Sequence, residues 1–159
     1  ACADTVMMCF SKGLGAPVGS ILVGSAEHVR AARRVRKRWG GGMRQVGILA
    51  AACLYALDHH VARLADDHRR AHRLAEGFAK APGARVIAPD TNIVFVDLSA
   101  TAPDAKAVVA RLAERGVRMS AYGPRRVRAI AHLDVDDAGI ERAIGAFREA
   151  LETSPAAGR

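Results

Sequence analysis

The chain has 159 residues, half of them hydrophobic but only 4% aromatic, and a formal net charge of +8. That length fits one ordinary domain, or the end of one and a small second one, around a core of Ala, Val, Leu and Ile such as α/β proteins use. No apolar run approaches the roughly 20 residues of a membrane-crossing helix.

Cys2, Cys9 and Cys53 cannot all pair with one another and show no metal-ligand spacing; free thiols in a reducing cytoplasm are expected. Six Lys or Arg residues crowd into "RAARRVRKRW", residues 30–39. Such a helix could meet phosphates on nucleic acid or a membrane, but no aromatic residues are interleaved for base stacking. A solvated helix face accounts for most of these charges.

In chain order, residues 5–10 predict an apolar strand, a glycine- and proline-bearing turn follows at 13–17, and "VGSILV" predicts a second strand, so the pair forms a hairpin around Lys12. Met7 and Met8 are expected in the core. Ser25 is a suitable N-cap for a helix running to Arg38, with Glu27 in its first turn. The three glycines at 40–42 end that helix. From about Gln45 to Lys80 the spacing predicts one long helix whose apolar face includes Leu57, Val61, Leu64, Ala71, Leu74 and Phe78. Pro82 and Gly83 close it.

A change of texture near Pro82 divides the chain into 1–82 and 83–159. "NIVFVDL" predicts a strand, Pro103 and Asp104 open a helix ended by Gly116, and "VRMSAY" and "RVRAIAHL" predict two further strands. Asp136 or Asp137 caps a last helix, and the tail "TSPAAGR" is expected to fray. Strand, helix, strand, strand, helix describes a small α+β domain with helices on one side of an antiparallel sheet.

Lys12 raises a chemical question. An amine desolvated by Val6, Met7, Phe10, Leu14 and Val18 would lose its proton more readily and could attack an aldehyde to form a Schiff base. A lysine before G-x-G can equally be a surface loop residue or a weak phosphate contact, and the residues alone leave these open.

The segments "FSKGLGAPVGSILVG" and "RKRWGGGMRQVGILAAACLYAL", with "LADDHRRAHRLAEGF", "DTNIVFVDL" and "VRAIAHLDVD", resemble the C-terminal half of the low-specificity L-threonine aldolases. These are carbon–carbon lyases in the β-eliminating lyase group of fold-type I pyridoxal-phosphate enzymes. The resemblance implies that 1–82 is the end of the cofactor-binding large domain with a long connecting helix, and 83–159 the small C-terminal domain. It implies cleavage of L-threonine or L-allo-threonine to glycine and acetaldehyde with pyridoxal 5'-phosphate, in a homo-oligomer, without nucleic acid, membrane or catalytic metal.

By position, Lys12 matches the lysine that binds the cofactor covalently. Arg44 matches an arginine that reaches its phosphate across a subunit interface. Lys37 matches a lysine near the site, on the substrate side. Arg128 matches the arginine that pairs with the substrate's α-carboxylate, a role suited to a guanidinium fork. Strand alternation puts Arg126 on the same face as Arg128, so spacing alone does not separate them.

The family's phosphate loop, ring-stacking histidine and pyridine-nitrogen aspartate precede the lysine, and eleven residues precede Lys12 here. The expectation is a fragment, poorly folded and inactive alone. Two alternatives stand beside the aldolase: another fold-type I lyase or transferase, and a basic anion- or nucleic-acid-binding module. A non-catalytic partner subunit is disfavoured, because Lys12, Arg44 and Arg128 are all in place. His68 and His72, four apart, suit a solvated helix better than a metal. His59 and His60 are given no ligand role, and His132 a structural one near the core of the small domain.

Overall fold

The structure, a computed structural model, describes residues 2–152, so the tail from Thr153 lies outside the described residues. The chain forms two compact units, Ala1–Leu64 and Ala65–Arg159.

The first unit begins with the expected hairpin. Strands β1 (Thr5–Cys9) and β2 (Ser20–Gly24) pair antiparallel, Cys9 opposite Ser20. Helix α1 (Ala26–Arg38) follows, capped by the Ser25 hydroxyl accepting from the His28 N–H. Helix α2 (Gly47–His60) comes after the glycine turn. The core of this unit is small: Phe10, Leu14, Ala16 and Ala56, with Cys53 and Leu64 against them.

The hairpin's own apolar residues are not core. Met7 and Met8 are 62% and 42% exposed, and Val6 and Val18 are also open. This corrects the expected core placement. Apolar strands seek cover, but a two-stranded sheet buries little unless a further layer packs on it. Helix α1 covers it partially and itself has no buried residue, which accords with a solvated basic face.

The predicted long helix is two helices. A turn at residues 61–63 separates α2 from α3 (Leu64–Phe78). Leu57 and Val61 remain exposed, whereas Ala71, Leu74 and Phe78 enter the core of the second unit. The residues around the break carry neither Gly nor Pro, so nothing in the spacing announced it.

In the second unit a four-stranded antiparallel sheet runs in the order β3-β4-β6-β5. Its strands are β3 (Ala84–Ile87), β4 (Ile93–Leu98), β5 (Ser120–Ala121) and β6 (Arg126–Ile130). Strand β3 was not expected, and "VRMSAY" contributes only two strand residues. Val94, Val96 and Leu98 of β4 and Val127 and Ala129 of β6 form one core with α3, α4 (Ala105–Glu114) and α5 (Asp137–Leu151). Asp104 and Asp136 cap α4 and α5 through their carboxylates. Alternation sends Phe95, Asp97, Arg126 and Arg128 to the opposite face of the sheet. His132 follows β6 but is exposed, facing Asp134 at 3.5 Å, which corrects its expected place near the core.

Candidate active site

Lys12 lies in the connection between β1 and β2, and that connection is a built loop. The Gly15 N–H donates to the Lys12 carbonyl at 2.9 Å, Ala16 to Phe10 at 3.0 Å, and Phe10 to Gly19 at 3.0 Å. Phe10, Leu14 and Ala16 turn inward, which leaves Lys12 exposed on the outside of the loop. The desolvating shell expected around it is therefore half present: Phe10 and Leu14 are buried beneath the loop, while Val6, Met7 and Val18 are open.

Side chains on and just after α2 brace this loop from below. Cys53 Sγ donates to the Val18 carbonyl at 3.4 Å, His60 Nδ1 to the Leu14 carbonyl at 2.6 Å, and Arg63 Nη1 to the Gly13 carbonyl at 3.5 Å. Positions 53, 56, 60 and 63 recur at helical spacing, so one face of α2 and its exit addresses the loop. Sequence reasoning set His60 aside because it adjoins His59. The available signal was its place on the face of Cys53 and Ala56.

Lys37 and the triple glycine meet. A Cβ on Gly42 would stand 2.6 Å from Lys37 Cδ and 3.4 Å from its Nζ, so the bare backbone makes room for the lysine. The Gly41 N–H donates to the Arg36 carbonyl at 2.8 Å, folding the turn onto the end of α1. Arg44 follows, exposed, and Gln45 adopts a φ of 50°, the left-handed region that costs a side-chain-bearing residue energy. No hydrogen bond or ion pair ties the Lys12 ammonium or the Arg44 guanidinium to another described residue. Among the cations of the first unit, Lys12 and Arg44 are thus left without a described partner, and Lys37 lies against the glycine turn.

In the second unit three neighbouring arginines have different fates. Arg125 donates to the carbonyls of Ser99, Ala100 and Ala102, tying down a loop. Arg126 donates to Asp97 through Nε at 2.6 Å and Nη2 at 3.1 Å. Asp97 also receives Arg85 at 2.6 Å, and its carboxyl is held below the usual carboxylate range, first by the Arg126 hydrogen bond. Arg128 has no such partner: its Nε is buried and unbonded among the described residues. Its guanidinium carbon stands 5.9 Å from the centre of the Tyr122 ring, which meets Phe95 edge-on at 5.3 Å. A half-buried guanidinium with an orphaned donor is suited to a carboxylate from outside the chain.

His68 and His72 lie on α3, and no group of three or more His, Cys, Asp or Glu is arranged for a metal ion among the described residues. No helix among them is long and apolar enough to cross a membrane.

Comparison with known proteins gives the family and the fold. The family model for beta-eliminating lyases matches residues 1–101. Low-specificity L-threonine aldolase 1 of Arabidopsis thaliana is 39% identical over 154 residues, covering 95% of this chain and 43% of the relative. The low specificity L-threonine aldolase of Escherichia coli K12 is 47% identical over 132 residues, covering 83% of this chain and 38% of the relative. The chain thus spans about two-fifths of the length of these relatives. Among solved structures, one described as an L-allo-threonine aldolase from Listeria monocytogenes superposes with a TM-score of 0.72 at 20% identity, over 93% of this chain and 45% of that one. A serine palmitoyltransferase from Sphingomonas wittichii gives 0.69 at 22% identity, over 93% and 39%. These two likenesses show the fold, the fold-type I architecture. The family match spans most of the chain, from the lysine loop through β4, and the chain belongs to the beta-eliminating lyase family.

Proposed function

We propose that this chain works as part of a longer pyridoxal-phosphate-dependent aldolase that cleaves L-threonine or L-allo-threonine to glycine and acetaldehyde. The observation that carries this reading is the buried, unbonded Nε of Arg128 beside a sheet arginine already satisfied by Asp97. An α-carboxylate supplies what that guanidinium lacks, two acceptor oxygens in a plane. The names of the relatives supply the substrate class.

The residues present fit the cofactor. Lys12 offers an exposed primary amine on a braced loop, and Arg44 and Lys37 offer cations beside a glycine turn that leaves space for a close approach. Lys12 would hold the cofactor through Nζ, Arg44 would bind its phosphate, and Lys37 would lie on the substrate side. When bound, pyridoxal phosphate supplies the electron sink for the pair released as the Cα–Cβ bond breaks.

Arg128 would fix the substrate by its carboxylate, which limits rotation about Cα and so helps select the bond that breaks. The hydroxyl oxygen loses its proton, the Cα–Cβ pair stays with Cα, and Cα gains a proton, so threonine yields glycine and acetaldehyde in balance. Tyr122 would hold the guanidinium level while this happens. We place the enzyme in the cytoplasm as a homo-oligomer.

The test is made on the complete protein. It should show visible absorption from lysine-bound cofactor and release acetaldehyde from L-threonine. Lys12→Ala should lose both, and persistence of that absorption in the variant would defeat the assignment.

A further inference from the structure

We infer that His60 is a positioning residue for the lysine loop, acting through the carbonyl of Leu14. The contact is short, 2.6 Å, and partly buried. A carbonyl can only accept, so Nδ1 carries the hydrogen and the imidazole tautomer is set by this bond. Leu14 stands two residues from Lys12, inside the turn closed by the bond from the Gly15 N–H to the Lys12 carbonyl. The Tyr55 ring meets the imidazole edge-on at 5.5 Å and holds it from one side.

The reach of the latch follows from what else holds the loop. Arg63 takes the Gly13 carbonyl at 3.5 Å and Cys53 the Val18 carbonyl at 3.4 Å, both longer contacts than that of His60. The lysine side chain is exposed and ties itself to nothing described, so its aim depends on the backbone under it. An amine that must meet a fixed aldehyde carbon needs that backbone held to a fraction of an ångström. His60 supplies this from the adjoining helix, by one charge-independent hydrogen bond to the peptide two residues on.

The inference rests on Lys12 being the cofactor-binding residue, and its test separates the two. In the complete protein without cofactor, amide exchange over residues 10–19 reports loop opening. His60→Leu should speed exchange there by about three- to tenfold, the worth of one lost hydrogen bond. His60→Asn places an N–H where Nδ1 stood and should restore protection to within about twofold. His60→Gln places its N–H near the Nε2 position and should behave like His60→Leu, so the Asn and Gln pair decides even if the leucine variant does not fold. Unchanged exchange in both His60→Leu and His60→Gln, or equal loss in Asn and Gln, overturns the latch. Lys12→Ala should keep the loop protected while losing the lysine-bound absorption. Retained absorption there would defeat the reading of Lys12, and it leaves the exchange result on His60 to be judged separately.

Discussion

Asp97 stands directly opposite Arg126 across the β4–β6 ladder and receives it through two hydrogen bonds, at 2.6 and 3.1 Å. Two residues further along the same face, Arg128 pairs with Phe95 in register and finds no carboxylate. The pairing register therefore sorts two arginines that alternation leaves equivalent. One closes an ion pair within the sheet, and the other is left with a donor to give.

From this sorting the two arginines should fail differently. If Arg128 holds the substrate carboxylate as proposed, Arg128→Gln removes a charge-assisted fork and should raise KM by about tenfold to a hundredfold, the range for a hydrogen bond to a charged group of about 1.5–3 kcal/mol. Its thermal stability should change little, because no ion pair within the protein is lost. Arg126→Gln should do the reverse, lowering the melting temperature with KM nearly unchanged. Steady-state kinetics and thermal unfolding on both variants check it, and a matched KM effect would remove the distinction.

Acid should weaken the second unit through Asp97. Its folded carboxyl lies below its ordinary range, by the Arg126 hydrogen bond first and the Arg85 hydrogen bond after burial has opposed them. A carboxyl lowered on folding stabilises fully above its unfolded value and loses that contribution as pH falls through the folded one. Asp137 is also lowered, by Arg70 and then Arg69, but its side chain is 63% exposed against 21% for Asp97, so solvent screens it more. Unfolding midpoints measured between about pH 5 and pH 2 should fall, and Asp97→Asn should flatten that fall more than Asp137→Asn.

Much of this arrangement was legible from residues, and the exceptions share a cause. The hairpin around Lys12 and the caps at Ser25, Asp104 and Asp136 are local, since each is set by residues within a few positions. What sequence did not disclose depends on tertiary partners. The break at residues 61–63 has no Gly or Pro, and its apolar spacing runs on although the two helices serve different cores. Strand β3 is four residues with an arginine among them, too short for a period to register. His60 had no visible partner until the loop carbonyl was placed 46 positions away. Met7 and Met8 looked like core by type, and type alone does not say whether a layer lies above.

Helix packing in the second unit should reject a methyl group at Gly77. Glycine to alanine inside a helix ordinarily gains up to about 1 kcal/mol. Here the added Cβ would stand 2.5 Å from Ile144 Cδ1 and Cγ1, in the core beside the Phe78–Phe147 ring pair. Gly77→Ala should therefore destabilise by about 1–3 kcal/mol through overpacking. Ile144→Ala should cost less in the Gly77→Ala background than in the parent. Denaturant unfolding of the four proteins in that cycle measures the coupling, and simple additivity would show that the helices can part freely.

The lysine loop should be equally intolerant at Gly19, for two separable reasons. Its φ of 133° lies where side-chain-bearing residues are strained, and a Cβ there would stand 2.8 Å from Cys53 Sγ. The same sulfur donates to the Val18 carbonyl, so moving it also loosens the loop. Gly19→Ala should cost about 1–3 kcal/mol from the backbone strain, with the sulfur clash added. Adding Cys53→Ala removes the clash but leaves φ untouched, so it should recover part of the loss and no more. Thermal unfolding and amide exchange over residues 10–19 read both effects. Full recovery in the double variant would assign the whole defect to the sulfur, and no recovery would assign it to the backbone.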